Sequence, residues 1–163
     1  NTEVGFYPVG NLAALAVCIG VNLEDFPKVL ALAEAQPNLY ATVGVHPEYT
    51  DVEDPDLERL LALADHPKVI AIGETGLDYY WQKDKPEWQR ERFRTHIRAA
   101  KACGKPLVVH TRESAVDTLR LLKDAAKAEH CDIAVYGHTH VMDVMPGNDV
   151  YVVNPGSADE PRD

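Results

Sequence analysis

At 163 residues, with 45% apolar and 26% charged side chains, the chain is long enough to bury one core and lacks the composition of a disordered segment. Its formal charge of −10 excludes a protein that grips long duplex nucleic acid along a basic face, because that affinity comes from Lys and Arg neutralising phosphates. The longest apolar stretch, 12–21, is too short to span a bilayer and no signal peptide opens the chain, so a soluble protein with no membrane partner is expected.

The elements alternate between strand and helix. Residues 14–19 form a short apolar run that reads as a buried strand. A helix is expected over 22–36, with Asp25 as N-cap, Phe26-Pro27 in the first turn, Val29, Leu30 and Ala33 on one face, and Pro37-Asn38 as its stop. Residues 39–45 are a second strand. Asp54-Pro55 opens the next helix, whose apolar stripe is Leu57, Leu60, Leu61 and Ala64. A third strand covers 69–73 and is followed by a loop. Pro86 starts a helix with Phe93, Ile97 and Ala100 on one face, and Gly104 closes it. Residues 106–110 are the fourth strand, 114–128 a helix and 132–136 a fifth strand. The pattern then changes: 141–144 and 150–153 flank Pro146-Gly147-Asn148 and read as an antiparallel hairpin, with a tight turn at 154–157. Residues 1–11 give no clear period, and with no Met at position 1 the chain is expected to begin inside a longer or engineered one.

Repeated β-α units imply a parallel sheet. A closed eight-stranded α/β barrel takes about 250 residues and rarely fewer than about 200, whereas five parallel-type strands and a hairpin are read here. The expected fold is therefore α/β: a partial (β/α) barrel, or an open three-layer parallel sheet with a C-terminal β-hairpin. One domain, 1–163, is expected, with its edges covered by the hairpin or paired in a homodimer.

Such folds gather the carboxyl ends of their strands on one face, so ligands far apart in sequence can meet there. Three strands run out into metal-binding residue types: Glu74 after VIAIG, His110 at the end of PLVVH, and His138 with His140 after IAVYG. A carboxylate at Glu74 can ligate or bridge hard cations, and Gly73 and Gly76 would let its loop turn tightly. His110 offers an imidazole nitrogen to the same face, and Arg112 suits phosphate oxygens. Residues i and i+2 of an extended segment point the same way, so His138 and His140 could enclose one cation. His46, stiffened by Pro47, would face the substrate. Asp78 and Tyr79 could orient ligands from the loop of Glu74. His66 reads as a charge near a helix end, and His96 and His130 as helix-surface residues. Tyr79, Tyr80, Trp81 and Trp88 could stack bases or simply pack.

Rival chemistries lack their motifs. There is no G-x-G-x-x-G or Walker loop and no G-x-S-x-G elbow. Cys18, Cys103 and Cys131 form no C-x-x-C pair, which fits a reducing compartment, and a cytoplasmic location is expected.

The strings VNLEDFPKVLALAEAQPNLYATVGVHPEY, VIAIGETGLDYYW, QRERFRTHIRAA and GKPLVVHTRESAVDTL resemble the TatD family of metal-dependent deoxyribonucleases, over about residues 18–128. That resemblance implies an amidohydrolase-like barrel with one or two divalent ions, Mg²⁺, Mn²⁺ or Zn²⁺, bridged by Glu74 and ligated by His110, with His46 near the substrate phosphate. The tail, CDIAVYGHTH and VVNPGSADEPR, is similar to the end of calcineurin-like phosphoesterases, in which both histidines of GHTH are ligands. The chain thus reads as a chimera, TatD-like over 12–130 and phosphoesterase-like over 131–163. Each family's ligand set is incomplete here: the first family's early H-x-H, later His and late Asp lack counterparts, as do the second's Asp-His strand start and further Asp and Asn ligands.

A composite site is the expected reconciliation. The fifth strand would lie beside the fourth and bring His138 and His140 to Glu74 and His110, with His46 and Arg112 on the phosphate. The implied activity is metal-assisted hydrolysis of a phosphate ester, DNA ends included, with Glu74 and His110 as the catalytic pair. A calcineurin-like metallophosphoesterase and a non-catalytic chimeric or designed scaffold are the alternatives.

Overall fold

The computed structural model describes residues 15–52, 54–84 and 86–128, together with the backbone of four short strands outside them, 4–7, 133–135, 142–145 and 151–155. In chain order the elements are β1 (Val4–Tyr7), β2 (Leu15–Cys18), α1 (Phe26–Glu34), β3 (Leu39–Val43), α2 (Leu57–Ala64), β4 (Val69–Asp78), α3 (Glu87–Cys103), β5 (Leu107–Arg112), α4 (Ala115–Ala128), β6 (Ile133–Val135), β7 (Met142–Met145) and β8 (Tyr151–Pro155).

Local chemistry accounts for the helix boundaries. Pro27 sits in the first turn of α1, where its missing N–H is one the helix cannot use anyway. Asp25 precedes that turn, but its carboxylate takes Lys28 Nζ at 2.7 Å and Asn22 Nδ2 at 3.2 Å instead of a helix N–H. Helix α2 is capped by Asp56, whose side chain accepts the Arg59 N–H at 2.7 Å. The expected opening at Asp54-Pro55 is thus two residues early, and Asp54 instead pairs with Arg92. Gly104 ends α3 in the left-handed conformation, its N–H reaching the Ala100 and Lys101 carbonyls.

Strands β2 to β5 are parallel and lie side by side in sequence order, with β1 antiparallel on the outer edge of β2. A doubly wound sheet reverses its strand order partway; this one does not, so it curls as a four-strand half-barrel. Strand β1 is an addition to the expected set: its four residues are too few to show a period, and it pairs antiparallel with β2. Strand β6 departs further from expectation. It pairs with β8 in a separate sheet ordered β6-β8-β7 and not with β5. Strands β7 and β8 pair antiparallel, and the turn expected between them lies outside the described residues.

The helices bury their apolar stripes on the sheet. Phe26, Val29 and Ala33 of α1, Leu60 and Ala64 of α2, and Ala99 and Ala100 of α3 meet Cys18, Ala41, Val43, Val69 and Ile72 in one cluster. Phe93 is fully buried in a second cluster with Leu77 and Tyr79; burial of one such ring contributes about 2–3 kcal/mol.

Strand β4 is longer than the apolar run 69–73 suggested, because Gly73 and Gly76 continue the strand where a loop was expected. Its register on β5 shifts between Ile72 and Thr75, and the Gly73–Glu74 peptide is cis. At Gly76, φ is +141° and an added Cβ would lie 2.0 Å from the His110 carbonyl oxygen; at Gly73, φ is +133° and it would lie 2.4 Å from that of Val108. Only glycine lets the two strands approach this closely. Gly76→Ala is accordingly expected to lower the unfolding free energy by roughly 1–3 kcal/mol or more, read as an earlier urea midpoint. An unchanged midpoint would show that the strands do not meet so tightly there.

Candidate metal centre

The parallel register pairs Gly76 with His110 and Asp78 with Arg112. Side chains two residues apart on a strand share a face, so Glu74, Gly76 and Asp78 form one row along β4. His110 stands opposite the member of that row that has no side chain. Its ring bridges the two acidic neighbours: Nδ1 lies 3.4 Å from Glu74 Oε1, and Nε2 lies 3.0 Å from Asp78 Oδ2. His46, on the loop after β3, completes the group, with Nε2 3.9 Å from Glu74 Oε1 and its ring edge-to-face with His110 at 4.2 Å. One donor atom each from His46, Glu74 and His110 lies within 4.8 Å of the others.

The backbone around this group is knitted to the earlier strands. The Glu74 N–H donates to the Gly20 carbonyl at 2.7 Å, the His46 N–H to that of Val21 at 2.9 Å, and the Gly20 N–H to Thr42 Oγ1 at 3.0 Å. The segments after β2 and β3 and the end of β4 therefore share one rigid rim.

The two histidines are shifted in opposite directions. Burial alone would push the His110 imidazole down, but its hydrogen bonds to Glu74 and Asp78 outweigh that and hold it above the ordinary value. With Nε2–H given to the buried Asp78, Nδ1 is the nitrogen turned toward Glu74, the orientation in which a carboxylate-backed histidine meets a metal. Burial first, and then the positive charge on His110, push His46 down to about 4. A neutral His46 accepts the Glu48 N–H on Nδ1 at 3.2 Å, so its proton sits on Nε2, facing Glu74 as a donor.

Three polar side chains of α3 hold this arrangement from beneath. Gln89, fully buried, accepts the Asp78 N–H at 3.0 Å and donates to the carbonyls of Asp78 at 3.1 Å and Pro47 at 3.3 Å. Arg92 donates to the carbonyls of His46 at 3.1 Å and Tyr49 at 2.7 Å and pairs with Asp54. His96 donates from Nδ1 to the Arg92 carbonyl at 2.8 Å and accepts the Val45 N–H on Nε2 at 3.0 Å. His96 is fully buried, not on the helix surface as its sequence context suggested. The missed signal was spacing: Gln89, Phe93, His96 and Ala100 follow the i, i+4, i+7, i+11 stripe that faces the core.

Of the other candidates, Arg112 extends from the end of β5, with Nη1 3.5 Å from Glu48 Oε1 and 4.0 Å from Asp78 Oδ2. His66 lies beyond α2, 3.3 Å from Glu34. His130, His138 and His140 lie outside the described residues. Because β6 does not lie beside β5, the route expected to bring the GHTH histidines to Glu74 is not the one observed. A separate groove of about 560 Å³ runs between α3 and α4. Its acid Glu87 and the nearby Glu91 are taken up by arginines, with Arg90 and Arg94 each 2.7 Å from Glu87 and Arg98 3.0 Å from Glu91, so it offers no comparable ligand set.

A parallel half-barrel with imidazole and carboxylate donors at its strand ends is the architecture of metal-dependent α/β hydrolases. The model of the TatD related DNase family matches residues 11–145, and the chain belongs to that family. Among similar proteins are a Mycobacterium tuberculosis protein named uncharacterized metal-dependent hydrolase TatD, 40% identical over 66% of this chain and 43% of its own length. A Cronobacter turicensis protein named 3'-5' ssDNA/RNA exonuclease TatD is 36% identical over 63% of this chain and 40% of its length. The crystal structure of YJJV, a TatD homolog from Escherichia coli K12, superposes with a TM-score of 0.63 at 27% identity over 76% of this chain and 49% of that one. The chain thus spans less than half the length of these relatives. The family match runs on through residue 145, across the start of the tail, and the calcineurin-like resemblance with its implied chimera is not supported.

His96 supplies a pH test. Its folded value is about 4 against 6.5 for the free group, so on acidification the unfolded chain takes up the proton first. The stability owed to a neutral His96 is complete above pH 6.5 and lost as pH falls toward 4. His96→Gln keeps an acceptor for the Val45 N–H but does not titrate. Its Tm is expected to decline less than that of the parent between those two pH values; parallel declines would mean that His96 is not held neutral.

Proposed function

We propose that the chain acts in metal-dependent hydrolysis of phosphodiester bonds, with nucleic-acid ends as the substrate class, and that Glu74 and His110 hold the cation. The observation that carries this reading is the His110 ring fixed between Glu74 and the buried Asp78. A mixed carboxylate and imidazole set suits Mn²⁺ or Zn²⁺, and Mg²⁺ less well. His138 and His140 are proposed to complete the shell. When bound, the cation would polarise a phosphoryl oxygen and lower the pKa of a water.

The chain's own residues take the remaining tasks. His46 presents Nε2–H toward the same space and would donate to a phosphoryl oxygen. Arg112 would hold a second oxygen and is steadied by Glu48 and Asp78. Asp78 keeps the His110 Nδ1 turned toward Glu74. No described side chain is assigned the general-base role. A reducing cytoplasm suits Cys18 and Cys103, whose thiols are free, and no helix among the described residues is long and apolar enough to cross a membrane.

The first test is Mn²⁺-stimulated hydrolysis of bis(p-nitrophenyl) phosphate and of a single-stranded oligonucleotide. Glu74→Ala is expected to abolish the stimulation on both. Retention of the stimulated rate in that variant would remove Glu74 from the centre, and no stimulated rate in the parent would overturn the hydrolytic reading. Asp78→Asn is expected to weaken Mn²⁺ binding about 10- to 100-fold, measured by calorimetry, with the fold retained by circular dichroism. Unchanged affinity would remove Asp78 from the site.

A further inference from the structure

Three consecutive aromatics leave the end of β4 in two directions. Tyr79 is buried and donates to Asp117 at 2.8 Å, packed in the cluster of Leu77 and Phe93. Tyr80 and Trp81 turn out, the latter 67% exposed. Their rings meet edge to face at 4.6 Å and 86°. The Arg112 guanidinium lies 3.9 Å from the Tyr80 centroid and 5.9 Å from that of Trp81, and Lys83 Nζ approaches Tyr80 at 5.9 Å. Arg112 also reaches Asp78 at 4.0 Å, and Asp78 holds His110. The aromatic surface therefore begins beside the candidate metal centre.

An indole left in water contributes nothing to the core. What this pair offers is an exposed indole face set perpendicular to a tyrosine ring that carries two cations, in a chain whose overall charge is −10. Positive charge is scarce here, and some of it is spent on aromatic rings within reach of a phosphate site. That combination recognises unpaired bases: every base has a π-face, and an arginine against the ring can serve the adjoining phosphate. Paired bases present no free face, and two cations are too few to hold a duplex.

We propose that Tyr80, Trp81 and Arg112 form a stacking subsite for one base of a single-stranded nucleic acid whose adjoining phosphate lies at the metal centre. The proposal rests on the phosphodiester reading above and adds the feature that selects the strand. The subsite is short, tolerant of sequence and dependent on the base itself. Its salt dependence is shallow, about 0.7 in the slope of log Kd on log salt for each phosphate neutralised.

Binding without turnover tests it. In EDTA, an oligothymidylate of about four nucleotides and an abasic oligomer of equal length are titrated by anisotropy, with circular dichroism as a check on each variant. The base-bearing strand is expected to bind about tenfold tighter. Trp81→Ala is expected to bring the ratio near one, and Tyr80→Leu to lower it. The sequence has two tryptophans, so in Trp88→Phe the remaining emission belongs to Trp81 and should be quenched by oligothymidylate and not by the abasic strand. Equal affinity for the two strands in the parent, or a ratio that Trp81→Ala leaves intact, overturns the subsite. A base-dependent ratio in a chain without Mn²⁺-stimulated hydrolysis upholds the subsite while overturning the catalytic reading, so the two failures are distinct.

Discussion

The close approach of β4 to β5 at two glycines is the constraint on which the site depends. With side chains at 73 and 76 the strands could not come this near, since an added Cβ would press on the carbonyls of Val108 and His110. Leaving position 76 bare also sets the local chemistry. In this register His110 faces a gap flanked by Glu74 and Asp78, and one imidazole satisfies both carboxylates. Backbone packing and electrostatics thus have the same origin. The residues that could hold a cation are set by strand pairing, and strand pairing is among the stiffest features of a fold.

The second support is polar and comes from below. Gln89, Arg92 and His96 occupy positions of α3 that elsewhere in the stripe are filled by Phe93 and Ala100, and they are buried as deeply. Burying such groups is costly unless each finds partners. Here the partners are the backbone of the loop that carries His46 and of the strand end that carries Asp78. An apolar stripe would have packed α3 on the sheet equally well but would have left that loop unanchored. The polar substitutions trade some core energy for a fixed position of His46 opposite Glu74.

Much of the fold was legible because it depends on period and punctuation. The strand and helix alternation, the four parallel strands β2 to β5 and the stop at Gly104 followed from apolar runs and turn residues alone. That Glu74, His110 and His46 come together was legible for a related reason: each follows an apolar run, and strand ends in such folds converge. The misreadings are equally specific. Gly73 and Gly76 carry the sequence signal of a loop, yet their function is close packing within a strand, which no local window reveals. His96 looked superficial because a lone histidine in a charged helix usually is; only its register with Phe93 marks it as buried. The partner of β6 is a long-range choice, and local pattern carries no information about it.

The charge balance at the site would favour a cation at the proposed centre. Glu48, Glu74 and Asp78 bring three carboxylates to one rim, in a chain already at −10. Arg112 and the His110 imidazole face them, and the interactions with Glu74 and Asp78 hold the His110 pKa above its ordinary value despite burial. His110 Nδ1 faces Glu74 Oε1 at 3.4 Å, so these two residues would hold a cation from the same side. A divalent ion held there would offset the clustered carboxylates more than a single positive charge can. The clustering of acids is thus what would favour a cation at the proposed centre, and it arises only where the strands bring those acids together.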